Sequence, residues 1–134
     1  MKIRSLLFCL GALTLSSCAT YDGGYSPSCP TFVANVVQLE NGGFTWTKLS
    51  DEVVIGDDGQ PVDRYPDFPK RGAYEVRAGV LTMTTTDGEA LPPMYFHESG
   101  EQLYLLTGVE FRTMQQSGKL PDCALLRAGQ AGEN

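Results

Sequence analysis

The chain has 134 residues, 10 of them Lys or Arg against 16 Asp or Glu, for a formal charge of −6, and 42% are hydrophobic. That length makes one compact domain and not two. The acidic balance argues against a nucleic-acid partner and against a cationic patch for anionic membranes.

Residues 1–18 have the three parts of an export signal: Lys2 and Arg4 as a positive start, an apolar stretch from Leu6 to Leu15, and the small residues Ser16 and Ser17 before Cys18. The apolar stretch falls short of the about 20 residues that span a bilayer as a helix, so residues 1–17 read as a removable signal peptide. Leu15-Ser16-Ser17-Cys18 resembles the lipobox of bacterial lipoproteins. The resemblance implies that Cys18 receives a diacylglyceryl group and becomes the first residue of the mature chain. Ala19 in place of Asp then implies export to the outer membrane of a Gram-negative host, with the domain in the periplasm. The implied partners are the membrane, held through the acyl chains on Cys18, and an envelope protein. Acyl chains contribute about 0.8 kcal/mol per buried methylene, enough for stable attachment without a membrane-binding protein face.

Of the four cysteines, Cys9 leaves with the signal and Cys18 is consumed as a thioether, which leaves Cys29 and Cys123. Two remaining thiols in an oxidising compartment most simply pair, so a Cys29–Cys123 disulfide is expected. It closes nearly the whole domain and is worth at most about 4.5 kcal/mol in the chain-entropy model. The pair is too widely separated, and has too few further ligands beside it, to read as a metal or redox site. No metal or cofactor is expected.

Residues 18–28 are Gly, Ser, Tyr, Asp and Pro without an apolar period and read as a flexible tether, with Tyr21 and Tyr25 resting at the lipid interface or on the domain. The domain is read as residues 29–127, and residues 128–134 as a frayed tail. Thr31 to Leu39 reads as a strand, although Phe32, Val36 and Leu39 also fit one helical face. Asn41-Gly42-Gly43 supplies a turn, after which Phe44-Thr45-Trp46-Thr47 alternates as a half-buried strand with Phe44 and Trp46 on one face. Glu52 to Ile55 is a further short strand, and Gly56-Asp57-Asp58-Gly59 sends Pro61 to Arg64 back beside it.

From Gly72 onward the pattern is clearer. Ala73 to Arg77, Val80 to Thr86, Pro93 to His97 and Gln102 to Thr107 are β-branched and aromatic runs separated by Ala78-Gly79, Asp87-Gly88 and Ser99-Gly100. Such short connections force antiparallel neighbours. Alternation assigns Tyr74 and Val76, Leu81 and Met83, Tyr95, and Leu103 and Leu105 to the core face. Tyr104 and Leu106 on the opposite face need a cover, which the capping-box spacing Thr107-Gly108-Val109-Glu110 supplies as a helix over Val109 to Ser117, ended by Gly118. Cys123 to Leu126 returns as a last strand. The fold class is mainly β: a twisted antiparallel meander of six to eight strands, open or closed into a half-barrel or barrel, with one short C-terminal helix.

The chain reads as non-catalytic. His97 is the only histidine, and it has Glu98, Ser99 and Glu101 around it only because all four belong to one hairpin; no nucleophile, base and orienting group come from separate elements. Asp57, Asp58 and Asp63 miss the spacing of a calcium loop and fit an Asp-Asp-Gly turn. The segment from Asp63 to Arg71 alternates Pro with aromatics and charges. It reads as a surface strap laying Tyr65 and Phe68 over an open sheet end, and Arg64, Tyr65 and Phe68 are where a partner would dock if the strap is a binding loop.

The runs Gly72-x-Tyr74-x-Val76, Leu81-x-Met83, Asp87-Gly88 and Gly100-x-x-Leu103-Tyr104-Leu105 resemble the lipocalin-like or half-barrel modules of envelope lipoproteins. The resemblance implies a binding or scaffolding module at the outer membrane or, if the sheet closes round a cavity behind Tyr74, Leu81 and Leu103, a carrier of a small hydrophobic ligand. The layout of a small β-domain tied near its ends is also similar to that of the anchored periplasmic lysozyme inhibitors, which implies an enzyme inhibitor as a further reading.

Overall fold

A sheet closes on itself when every strand offers one apolar face and the hydrogen-bonded ladder runs unbroken round the circumference. The computed structural model, which describes residues 20–129, meets both conditions. Its strands are β1 (Gly23–Pro27), β2 (Val33–Glu40), β3 (Gly43–Ser50), β4 (Val54–Ile55), β5 (Pro61–Val62), β6 (Lys70–Arg77), β7 (Val80–Thr85), β8 (Met94–Ser99), β9 (Gln102–Thr107) and β10 (Leu125–Arg127), with helix α1 (Gly108–Ser117) between the last two. Eight of them, β1, β2, β3, β6, β7, β8, β9 and β10, pair in that order, each antiparallel to the next, and β10 returns to β1. The meander is therefore a closed up-and-down barrel. β4 and β5 stand apart as a two-stranded hairpin inserted between β3 and β6.

Local sequence explains the turns. Asn41 and Gly42 both adopt positive φ, 52° and 82°, as do Ala78 and Gly79 at 51° and 79°. Two successive left-handed residues match the twist of a tight hairpin, which is why the pairings Glu40↔Gly43 and Arg77↔Val80 close each one. α1 begins as expected. Thr107 Oγ1 accepts from the Glu110 amide, Glu110 Oε1 accepts from the Thr107 amide, and Gly118 ends the helix at φ 75°.

The barrel interior holds Tyr25, Val37, Leu39, Phe44, Tyr74, Leu81, Met83, Met94, Leu103, Leu105 and Leu125, with Leu91 entering from the β7–β8 loop. On the outside, α1 lies against β8 and β9. Its Phe111 ring stacks on Tyr95 with centroids 4.5 Å apart, and Leu106, opposite Tyr95 in the ladder, is fully buried. The helix is thus the cover that the apolar outer face of β9 called for.

Two expectations are corrected. Tyr95 does not face the core: Met94 and Phe96 do, because Met94 pairs with Leu81 and Phe96 with Leu105, while Tyr95 finds its aromatic partner outside on α1. The segment 18–28, expected as a tether with the domain starting at Cys29, contains β1, a stave of the barrel. Gly23, Gly24 and Tyr25 pair with β2, and Tyr25, Ser26 and Pro27 with β10; Tyr25 is wholly buried. A stretch without apolar period becomes a strand because both neighbours supply its ladder. Among the described tail residues, Ala128 still donates to the Gly24 carbonyl at 2.7 Å. Residues 1–19, including the export signal and Cys18, and residues 130–134 lie outside the described residues.

The two ends of the barrel differ. One end carries the hairpin tips at residues 41–42, 78–79 and 100–101 and is plugged by residues 20–22. There the Tyr21 ring stacks on Phe96 at 4.2 Å, Tyr25 Oη donates to the Tyr21 carbonyl at 2.7 Å, and Tyr74 Oη donates to Asp22 Oδ1 at 2.5 Å. The other end carries the β4–β5 hairpin, the strap, the β7–β8 loop, α1 and the Cys29–Cys123 disulfide, and it is partly open.

Candidate functional site

At the open end the inward positions of several strands stop short of filling the barrel. Val33, Asn35 and Val37 from β2, Trp46 from β3, Met94 from β8, Thr107 from β9, Leu125 from β10 and Pro27 from β1 wall a cup of about 630 Å³, which α1 borders through Val109, Glu110 and Arg112. That volume lies within the range of small-molecule sites, and the walls have their character: apolar, with a few polar groups. The deep carrier cavity expected behind Tyr74, Leu81 and Leu103 is not what the barrel contains. Those three residues are 3%, 0% and 5% exposed and belong to the packed core, and the space lies above them, at the mouth.

Asn35 is a polar residue in the apolar inner row of β2. Its Oδ1 accepts from Trp46 Nε1 at 3.0 Å, so the indole, half-buried in the cup wall, keeps its donor satisfied and its orientation fixed. The far side of Trp46 meets the strap. Phe68 packs edge-on against the indole with centroids 5.1 Å apart, and Lys48 Nζ stands 5.9, 5.5 and 5.3 Å from the ring centres of Trp46, Tyr65 and Phe68. A cation shared by three rings holds the strap to β3. Arg64 pairs with Glu52 and lies over Tyr65, while Lys70 pairs with Glu89 at 3.2 Å and lies over Phe68. The strap therefore narrows the β3–β6 side of the mouth and leaves the β1, β2 and β8–β10 side open.

The sequence-predicted residues divide accordingly. Cys29 and Cys123 are joined, Cα atoms 5.1 Å apart, and Cys123 borders the cup. Tyr65 and Phe68 sit at the same end but point into the strap's own packing. Asp58 Oδ1 accepts from the Gln60 amide at 3.0 Å and Asp63 Oδ1 from the Tyr65 amide at 2.9 Å, so each shapes a turn. His97 pairs with Tyr104 along the β8–β9 ladder, on the outer face with Tyr95. Among the described residues no three His, Cys, Asp or Glu side chains group as a metal site. The cup residues themselves were not singled out; Asn35, polar between Val33 and Val37 on one strand face, is the signal that marks them.

A second hollow, of about 660 Å³, runs along the outside of β2, β3, β6 and β7 past Gln38, Thr45, Gly72 and Thr84. This groove is wide open, whereas the cup is recessed and apolar, and the cup is the better candidate.

Compared with models of protein families, with curated proteins and with solved structures, the chain finds no match.

Proposed function

We propose that the chain is a non-catalytic, lipid-anchored binding module of the outer membrane, lipocalin-like in layout, that takes a small apolar ligand in the cup at the open end of its barrel. The observation that carries this reading is the unfilled apolar mouth above a packed core. A barrel built only as a spacer gains by filling such a space, since each unfilled methylene position costs about 1 kcal/mol. Anchorage at Cys18 and a periplasmic location rest on the lipobox resemblance.

Trp46 is the only tryptophan and lines the cup, so its emission reports occupancy directly. Titration with N-phenylnaphthylamine is expected to give saturable, one-to-one energy transfer from Trp46. Val33→Arg, which places a charge at the half-exposed rim, should abolish that transfer while leaving the unfolding transition cooperative. Absence of saturable transfer in the wild-type protein overturns the reading.

A specific observation favours a second reading, a protein-binding scaffold or inhibitor. The β4–β5 hairpin carries Ile55 and Val62 at 56% and 48% exposure, and Val53, the residue just before it, is 74% exposed, all outside the barrel ladder and at the end that carries the mouth. Aliphatic side chains grouped on a protruding hairpin suit a protein contact. Val53→Asp with Ile55→Asp should then abolish cross-linking to an envelope partner, and inhibition of lysozyme at stoichiometric amounts would identify the inhibitor form.

A further inference from the structure

The described chain enters and leaves the barrel at its plugged end. β1 starts there at Gly23 and β10 finishes there at Arg127, the two in register through Tyr25↔Arg127. The residues before β1 are fastened to the same end. Arg127 donates to the Thr20 carbonyl at 2.8 Å, the Tyr21 ring lies on Phe96, and Asp22 Oδ2 accepts from the Asn41 amide at 3.0 Å. Thr20 is thus a fixed point on the plugged end, and Cys18 precedes it by two residues.

Two residues, fully extended, span at most about 7 Å. The barrel is about 20 Å tall, from strands of eight residues rising about 3.3 Å each at a tilt near 40°. The leash is shorter than the barrel, so a molecule held by acyl chains on Cys18 cannot turn its mouth to the bilayer that holds it. We infer that the barrel stands on its anchoring membrane by the plugged end, with the hairpin tips at residues 41–42, 78–79 and 100–101 at the lipid headgroups and the cup facing away into the aqueous space. This rests on acylation of Cys18.

Surface chemistry agrees with that orientation. Near the plugged end the exposed side chains include Glu40, Glu75, Arg77, Glu98 and Glu101, four anions to one cation and none of them apolar, so these groups offer the bilayer neither an apolar wedge nor a net positive patch. The large exposed apolar side chains Phe32, Val53, Ile55 and Val109 all lie at the mouth. A face that entered the bilayer would show the reverse arrangement. The apolar rim therefore meets partners arriving across the aqueous space, and the cup loads and unloads in that direction, not sideways from the anchoring leaflet.

The test uses the acylated full-length mature protein in phosphatidylcholine vesicles containing lipid that carries a nitroxide quencher on its headgroup. In a Trp46→Phe background, Arg77→Trp reports the plugged end and Phe32→Trp reports the mouth. Emission of the first is expected to fall at least threefold more than that of the second. Equal quenching, stronger quenching at Phe32→Trp, or none at either site in vesicle-bound protein overturns the orientation. Hydrogen exchange on the protein without tryptophan substitutions gives an independent reading: attachment should slow exchange at residues 77–80 and leave residues 53–55 unchanged, and the opposite pattern overturns the inference. Flotation of Cys18→Ser as readily as wild type would show that the anchor reading itself fails, and the orientation with it.

Discussion

Tyr74 Oη donates to Asp22 Oδ1 at 2.5 Å, and the other oxygen of that carboxylate accepts from the Asn41 amide at 3.0 Å. One side chain from the segment before β1 thereby joins β6 to the β2–β3 turn across the plugged end. Replacement by Ala leaves the mostly buried phenol and the amide without this acceptor. Asp22→Ala should lower unfolding free energy in urea by about 1–3 kcal/mol, while Asp22→Asn, which keeps one acceptor, should recover about half of that loss.

Tyr25 gives the barrel an alkaline limit. Its burial among apolar side chains pushes the phenol up to about 12, against an ordinary 10.0, with the nearby Arg127 pulling the other way. The folded state therefore holds its proton where the unfolded chain releases it. Stability from this group is whole below pH 10 and is lost as pH climbs from 10 to 12, by up to about 3 kcal/mol. Urea melts at pH 8, 10 and 11.5 should show this loss, and the loss should shrink in Tyr25→Phe even though that variant starts lower for want of the bond to the Tyr21 carbonyl.

Gly72 permits the close passage of β6 and β7. A methyl group there meets Thr84 O at 2.0 Å and the Thr85 Cα at 2.7 Å, both backbone atoms that can retreat only by moving β7. Gly72→Ala should destabilise by about 1–3 kcal/mol as an overpacked site, whereas Gly88→Ala, with open space around its added methyl but a φ of 98°, should cost about 1 kcal/mol through backbone strain alone. Thermal melts of the two variants side by side separate the mechanisms.

The disulfide guards one of the barrel's two shortest seams. β10 pairs with β9 through only Leu125↔Leu105 and Leu126↔Tyr104, so few ladder bonds hold it on that side. Cys29→Ser with Cys123→Ser should cost about 2–4 kcal/mol. Amide exchange should rise first at residues 23–27 and 125–127, and a uniform rise across the barrel would contradict this order.

Much of the meander was legible because its signals are local. The turn residues Asn41-Gly42 and Ala78-Gly79, the alternation through Tyr74 and Val76, and the Thr107–Glu110 capping box each carry their structure within a few residues. β1 was not legible for the opposite reason: Gly23, Gly24, Ser26 and Pro27 favour no strand, and only pairing on both sides makes one. Tyr95 shows the cost of period-2 reading, in which a slip of one residue exchanges the two faces of a strand; Met94 and Phe96 offered an equally apolar inner row. Tyr65 and Phe68 stand out in the strap as aromatics between prolines and charges, but the cup at the same end depends on where eight strands end relative to one another. That stagger is a property of closure and is written in no single segment.

The position of the disulfide also sets how the molecule responds to load. Tension applied through the N-terminal side reaches β1 first and shears it from β2 and β10, whose ladders run along the direction of pull. Peeling proceeds through Pro27 and stops at Cys29, which is covalently tied to Cys123. A tug on the barrel can therefore unseat one stave and its plug, after which the force passes through the sulfur bridge into the segment leading to β10, and every residue between the two cysteines is shielded from it.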